Sequence, residues 1–279
     1  MEHIYVNFKR FDVPAALGGV NRLSPAAEYG RTVVEKTLEG IEAYRGKAEF
    51  AFFLPEAQVP GALEALGGKD ILSIGCQGVY RRDVAPGGNF GAFTTSRPAA
   101  SMKALGCSSV IIGHCEERND KNELLSLGGN KDRNLVNTVL NEEVLAAQRQ
   151  GLKVLYCVGE KDTELDDWDK VIAQQLETGL KDADLESVVI AYEPVWSIGP
   201  GKTPAGKEYI TKVARLVKSV LKDVPVVYGG GLKSANAAML SSIDEISGGL
   251  IALTRFSGDI GFYPEEFLEI VSLYMGGKR

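Results

Sequence analysis

The chain has 279 residues, with 31 Lys and Arg against 37 Asp and Glu, a formal net charge of −6, 44% hydrophobic and 24% charged residues. That composition suits a globular chain of one or two domains with a sizeable core, and it excludes the global basic footprint of a nucleic-acid-binding protein. No stretch approaches the length needed to span a membrane, and the opening MEHIYVNFKR lacks an apolar signal region. Cysteines 76, 107, 115 and 157 form no CxxC pair and there are only two histidines, so the thiols are expected to be reduced, with no metal, in a cytoplasmic chain.

Short apolar runs alternate with helix-period segments along the chain. The first run, IYVNF at 4–8, is followed by a long stretch at 10–30 and then a helical stripe of Val33, Val34, Thr37, Leu38, Ile41 and Tyr44. Runs at 50–54 and 71–76 flank a helix near 60–66. A helix at 97–105 leads to a run at 109–112. The next stripe is Leu135, Val136, Val139, Leu140, Val144 and Leu145, ahead of a run at 154–157. A helix at 167–180 precedes VVIAY at 188–192. The stripe Ile210, Val213, Leu216, Val217, Val220 and Leu221 precedes a run at 226–228. A helix at 234–242, a run at 249–252, a long segment at 255–263 and a helix at 264–274 close the series. Continuous, β-branched runs bounded by Gly, Pro or polar residues are typical of parallel strands buried on both faces.

Eight strand–helix units without a composition break predict an α/β fold, a closed (β/α)8 barrel forming a single domain over 1–279. Reactive side chains in such a barrel lie at the C-terminal ends of the strands. Polar residues at those ends are Asn7 and Lys9, His114 and Glu116, and Glu193, with Tyr228 and Gly229, Gly230 and Gly231 after the seventh run. Taken singly, each has an ordinary structural role: a turn former, a surface lysine, a hydrogen-bonded histidine, a solvated carboxylate, a flexible turn. Together they bring a base, an imidazole, a cation and an amide to one face.

These residues lie in motifs that resemble the triosephosphate isomerase family. AYEPVWSIGPGKT at 191–203 is similar to its sixth-strand signature, IIGHCEER at 111–118 to its histidine signature, and NFK at 7–9 to its first-strand Asn-x-Lys. GAFT at 91–94, CVGE at 157–160 and YGG at 228–230 match further motifs, in the family's order. The resemblance implies a TIM barrel that interconverts glyceraldehyde 3-phosphate and dihydroxyacetone phosphate through an enediolate, without a cofactor. It implies that Glu193 is the base, His114 a neutral electrophile, Lys9 a cation for the developing oxyanion, and Asn7 a hydrogen-bond donor. Ile198 would cover the base, Glu116 would partner Lys9, and residues 194–196 and 202–204 would hinge a lid. The Gly199 amide would meet the phosphate, beside Gly229, Gly230 and Gly231. A homodimer through the loop around Thr94 is also implied.

The phosphate end departs from the family pattern. Gly231 stands where a serine is usual, and Pro204 removes an N–H that would bond Tyr228. The usual Gly-Gly of the eighth loop falls near Leu253 and Thr254, followed by Arg255, whose side chain is a candidate replacement for lost amide contacts. Phe8 replaces a tryptophan, Glu117 an arginine, and Thr95-Ser96 a Gly-Glu. Two alternatives follow: an isomerase for another short sugar phosphate, such as a tetrulose phosphate, or a non-catalytic sugar-phosphate-binding barrel.

Overall fold

The computed structural model describes residues 1–130, 132–198 and 202–278. The expected lid tip at 199–201, with Gly199, therefore lies outside the described residues. Eight parallel strands close on themselves in chain order: β1 Glu2–Asn7, β2 Ala48–Leu54, β3 Leu72–Cys76, β4 Ser109–Ile112, β5 Lys153–Val158, β6 Val188–Tyr192, β7 Val226–Tyr228 and β8 Gly248–Ile251. Closure is made by β8 pairing with β1, with Tyr5 opposite Leu250 and Val6 opposite Ile251.

Alternation along each strand divides the buried residues into two layers. Tyr5, Ala51, Phe53, Ile111, Leu155, Cys157, Ala191, Val227 and Leu250 pack together inside the barrel. Their neighbours Ile4, Val6, Phe50, Phe52, Val110 and Ile112 face outward and meet the helices. The helices are α1 Tyr29–Glu42, α2 Val59–Leu66, α3 Ala99–Ala104, α4 Cys115–Leu127, α5 Asn134–Arg149, α6 Trp168–Gly179, α7 Lys207–Leu221, α8 Ser234–Ser241 and α9 Pro264–Gly277.

Helix α4 is absent from the sequence reading. Of its thirteen residues only Arg118 is buried, so it carries no apolar stripe to betray a helical period. Its local signals are electrostatic instead: Glu116 and Glu117 occupy the first turn, where the helix dipole favours carboxylates, and Glu117 pairs with Lys121 one turn on.

The two long segments of the sequence tie to each other. Asn21 organises the first, donating to the carbonyls of Asp12 and Ser24 at 3.1 and 3.0 Å. Arg22 then reaches the last one, with Asp259 at 3.3 Å and the Ile260 carbonyl at 3.1 Å.

Between Asn7 and Lys9, Phe8 is fully buried in an aromatic cluster, with ring centroids 4.7 Å from Phe262, 5.1 Å from Phe52 and 6.0 Å from Tyr29. The ring anchors a turn in which Lys9 takes φ 44°, a left-handed conformation that an L-residue rarely adopts without such support. Truncating Phe8→Ala is expected to destabilise the chain by about 3–5 kcal/mol, as measured by urea unfolding, because it leaves a cavity that rigid neighbours cannot fill.

Candidate active site

The C-terminal mouth of the barrel collects the polar residues that the strands deliver. Asn7, 6% exposed, ends β1; its Oδ1 accepts the Lys9 N–H at 3.0 Å and a Gln77 Nε2–H at 3.2 Å. Gln77 also donates to the Lys9 and Phe53 carbonyls at 2.9 and 3.2 Å, so it clamps the whole Asn7–Lys9 turn onto the end of β3. The sequence reading passed over Gln77, although it is a polar residue directly after a strand, the criterion that selected the others. Lys9 Nζ lies 2.6 Å from Glu116 Oε1. Burial opposes the charge on Glu116, but its hydrogen bond and ion pair with Lys9 outweigh that and hold its carboxyl below the ordinary value.

His114 is the N-cap of α4. Its Nδ1 accepts the Glu116 N–H at 3.3 Å, which leaves Nδ1 without a proton and places the N–H of the neutral ring on Nε2. That Nε2 lies 3.3 Å from Glu193 Oε1. The tautomer thus aims a donor into the mouth of the barrel.

Glu193 follows β6 and is only 3% exposed. Its Oε2 accepts the Cys115 N–H at 2.9 Å. Burial pushes its carboxyl above the ordinary value; His114, the Cys115 amide, Lys9 and Arg118 pull the other way and do not cancel the effect. Two glycines make this position possible. A Cβ on Gly229 would lie 2.8 Å from Glu193 Cγ, and one on Gly159 would lie 1.8 Å from the Glu193 carbonyl oxygen. Both strand ends must be bare for Glu193 to sit between them.

The segment after Glu193 is anchored at its start. Val195–Ser197 form a 3-10 turn, and Trp196 Nε1 donates to Glu160 Oε1 at 2.7 Å; the same oxygen accepts the Tyr192 hydroxyl at 2.9 Å. Glu160 has no exposed surface, and its motif was noted in the sequence without a role. Here it pins the first of the two expected hinges. Ile198, half-buried, is the last described residue before the gap. Tyr228 is buried with its hydroxyl facing Ser197, and burial pushes the phenol up to about 12. A Cβ on Gly230 would lie 2.4 Å from that hydroxyl. Gly231 turns with φ 96°. Among the described residues, the amides of Gly230 and Gly231 meet no acceptor.

The eighth loop folds back on itself. The Thr254 and Arg255 amides both point to the Gly261 carbonyl, at 3.1 Å each, so neither is available to an anion. The Arg255 guanidinium is engaged by Glu266 Oε1, at 2.7 Å from Nε and 2.5 Å from Nη2, and stacks 3.8 Å over the Tyr263 ring. The structure therefore gives Arg255 an ion-pair partner of its own, and does not bring it into contact with Lys9, His114 or Glu193.

One grouping of potential metal donors occurs among the described residues: His114, Cys115 and Glu193 lie within 4.8 Å of one another. Burial, then the neighbouring Glu193 charge, pushes the Cys115 thiol up to about 12, so the sulfur is protonated at neutral pH rather than the thiolate that metals bind.

The raised carboxyl of Glu193 has a measurable consequence. In carbon NMR of carboxyl-labelled protein, Glu193 is expected to titrate above 4.5, losing its charge as the pH falls through that raised midpoint, and Gly229→Ala is expected to change the midpoint by displacing the side chain.

A family model described as triosephosphate isomerase matches residues 27–273. The triosephosphate isomerase of Gloeothece citriformis is 30% identical over 248 residues, 85% of this chain and 92% of that protein. That of a Synechococcus strain is 32% identical over 223 residues, covering 78% and 79% of the two chains. Among solved structures, triosephosphate isomerase from Bartonella henselae superposes with a TM-score of 0.71 at 27% identity, covering 98% of this chain and 99% of the other. With a closed parallel barrel, a buried carboxyl facing an imidazole, and this similarity along nearly its whole length, the chain belongs to the triosephosphate isomerase family.

Proposed function

We propose that the chain interconverts glyceraldehyde 3-phosphate and dihydroxyacetone phosphate by moving one proton between adjacent carbons. The observation that carries this reading is the 3.3 Å approach of His114 Nε2 to the buried Glu193 carboxylate, with Asn7 and Lys9 at the end of β1 on the same mouth of the barrel. Glu193 removes the carbon-bound proton. Desolvation makes its carboxylate a stronger base than one in water. Charge develops on the carbonyl oxygen, where the His114 Nε2–H and the Asn7 amide donate and Lys9 supplies a positive field. Glu116 holds that ammonium group by an ion pair, and Gln77 holds its backbone. The proton returns from Glu193 to the adjacent carbon, while His114 relays protons between the two oxygens.

The phosphate group has its natural place at the amides of Gly230 and Gly231, beside Gly229 at the end of β7, with Ile198 on the segment that follows Glu193. Movement of that segment about the Trp196–Glu160 anchor would exclude water from the enediolate. The ion pair of Arg255 with Glu266 argues against a phosphate role for Arg255. A second reading, isomerisation of a longer phosphorylated ketose such as a tetrulose phosphate, is favoured by the eighth loop, whose amides are spent on Gly261 and whose fold reshapes the phosphate end.

The protein is read as a cytoplasmic homodimer. No helix among the described residues is long and apolar enough to cross a membrane. The loop around Thr94 is exposed, with Phe90 at 88%, an apolar tip that a second copy would cover; sedimentation equilibrium at micromolar concentration is expected to return twice the chain mass.

A coupled assay with both triose phosphates and a four-carbon ketose phosphate tests the reaction, and efficient turnover of the trioses is the expected result. Glu193→Asp is expected to lower kcat by about 10²-fold with little change in KM, because the carboxylate retreats by one methylene. Arg255→Ala is expected to leave KM within about twofold; a rise of about tenfold would return Arg255 to the phosphate site. Turnover restricted to the four-carbon substrate would establish the second reading instead.

A further inference from the structure

Behind the imidazole lies a buried charge cluster that the isomerase chemistry does not use. The peptide entering His114 is that of Gly113, which takes φ 81°; a Cβ there would lie 2.9 Å from the Cys157 carbonyl and 3.0 Å from Arg118 Nη2. Both polar groups of Gly113 are held by the first turns of α4. Its N–H donates to Glu117 Oε2 at 2.6 Å, and its carbonyl accepts from Arg118 Nε at 2.8 Å. Arg118 is fixed in turn by the Cys157 carbonyl at 2.8 Å and by Asn137 of α5 at 2.7 Å. Glu117 is fixed by Lys121, whose Nζ lies 2.6 Å from its Oε1 and 3.1 Å from Glu143 Oε1 on α5. Glu143 is 4% exposed, and its Oε2 has no partner.

We infer that Glu117 is a positioning residue for His114: with Lys121 and Glu143 it forms a half-buried carboxylate–ammonium–carboxylate latch that grips the Gly113 amide and so sets where the imidazole stands relative to Glu193. Two carboxylates share one ammonium, so the latch is electrically balanced only while one of them keeps its proton. Burial, and then the charge of Glu117, pushes Glu143 up to about 9, so Glu143 is the protonated partner at neutral pH. Burial works against the Glu117 charge too, but the Lys121 ammonium and the Gly113 N–H help to outweigh it, and Glu117 is held below the ordinary value. The other titratable groups facing the cluster are Arg118 on α4 and Tyr156 and Cys157 on β5; burial pushes the last two up, so both stay un-ionised. When Glu143 loses its proton, a second negative charge faces Glu117 across one lysine, and the grip on Gly113 loosens.

The kinetic readout rests on the isomerase reading; the spectroscopic one does not. Glu117→Ala, which removes the acceptor, is expected to lower kcat on triose phosphate about tenfold with KM within twofold. Glu117→Gln, which keeps an acceptor oxygen, is expected to restore kcat to within threefold of the parent. In the parent, kcat is expected to fall as the pH rises through about 9, and Glu143→Gln to remove that fall. In nitrogen NMR of histidine-labelled protein, the two histidines being separable through His3→Asn, the His114 ring signals are expected to shift in the alanine variant and return in the glutamine variant. Unchanged kcat and unchanged ring signals in Glu117→Ala would overturn the assignment, as would a loss of kcat that Glu117→Gln fails to rescue. An alkaline fall that persists in Glu143→Gln would overturn the part played by Glu143. If the parent turns over no triose phosphate, the proposed reaction fails while the ring signals still decide the latch.

Discussion

The architecture serves one electrostatic constraint: a carboxylate has to remain ionisable where water barely reaches it. Glu193 meets that constraint with a single amide donor, the His114 imidazole, and a lysine that is paired with Glu116. A closer cation would stabilise the charge and blunt its basicity. Complete isolation would leave it protonated. The intermediate arrangement keeps the carboxyl above its ordinary value without abolishing its charge.

The backbone has to be unusually close to achieve this. Gly159 and Gly229 are bare because Glu193 and its peptide pass within van der Waals range of both neighbouring strand ends. Gly159 is further locked by Gln175, which donates to its carbonyl and accepts its N–H, each at 2.9 Å. The base therefore stands on three strands at once rather than on a loop, and its position is as stiff as the barrel. The segment that follows Glu193 is in turn fixed at Trp196 by the buried Glu160.

The departures from the family pattern form two groups with different physics. At the phosphate end, the eighth loop has turned into a small hairpin whose hydrogen bonds consume amides that would otherwise face an anion, and Arg255 is absorbed by Glu266 and Tyr263. Behind His114, a carboxylate at 117 required a compensating lysine one turn along and a proton on Glu143 across the helix pair. The first group alters what the mouth can bind. The second leaves the reacting groups in place and changes what holds them.

How much of this was legible in the chain depended on how local each signal is. Short continuous apolar runs and period-3.6 apolar stripes mark strands and helices by short-range packing, so the eight units and the closed barrel could be read directly, with strand ends displaced by one or two residues. Asn7, Lys9, His114 and Glu193 could be read because motif and strand end coincide. Helix α4 could not, since a charged helix with one buried residue leaves no apolar period. Gln77 reaches Asn7, Glu160 reaches Tyr192 and Arg118 reaches Cys157 across 70, 32 and 39 positions, and no local pattern encodes those distances. By itself the sequence determined the barrel and the family, because each rests on local periodicity or a contiguous motif. Only the tertiary structure decided that Arg255 is already paired, that a glutamine clamps the lysine turn, and that one lysine lies between two carboxylates behind the imidazole, because these follow from where distant side chains meet.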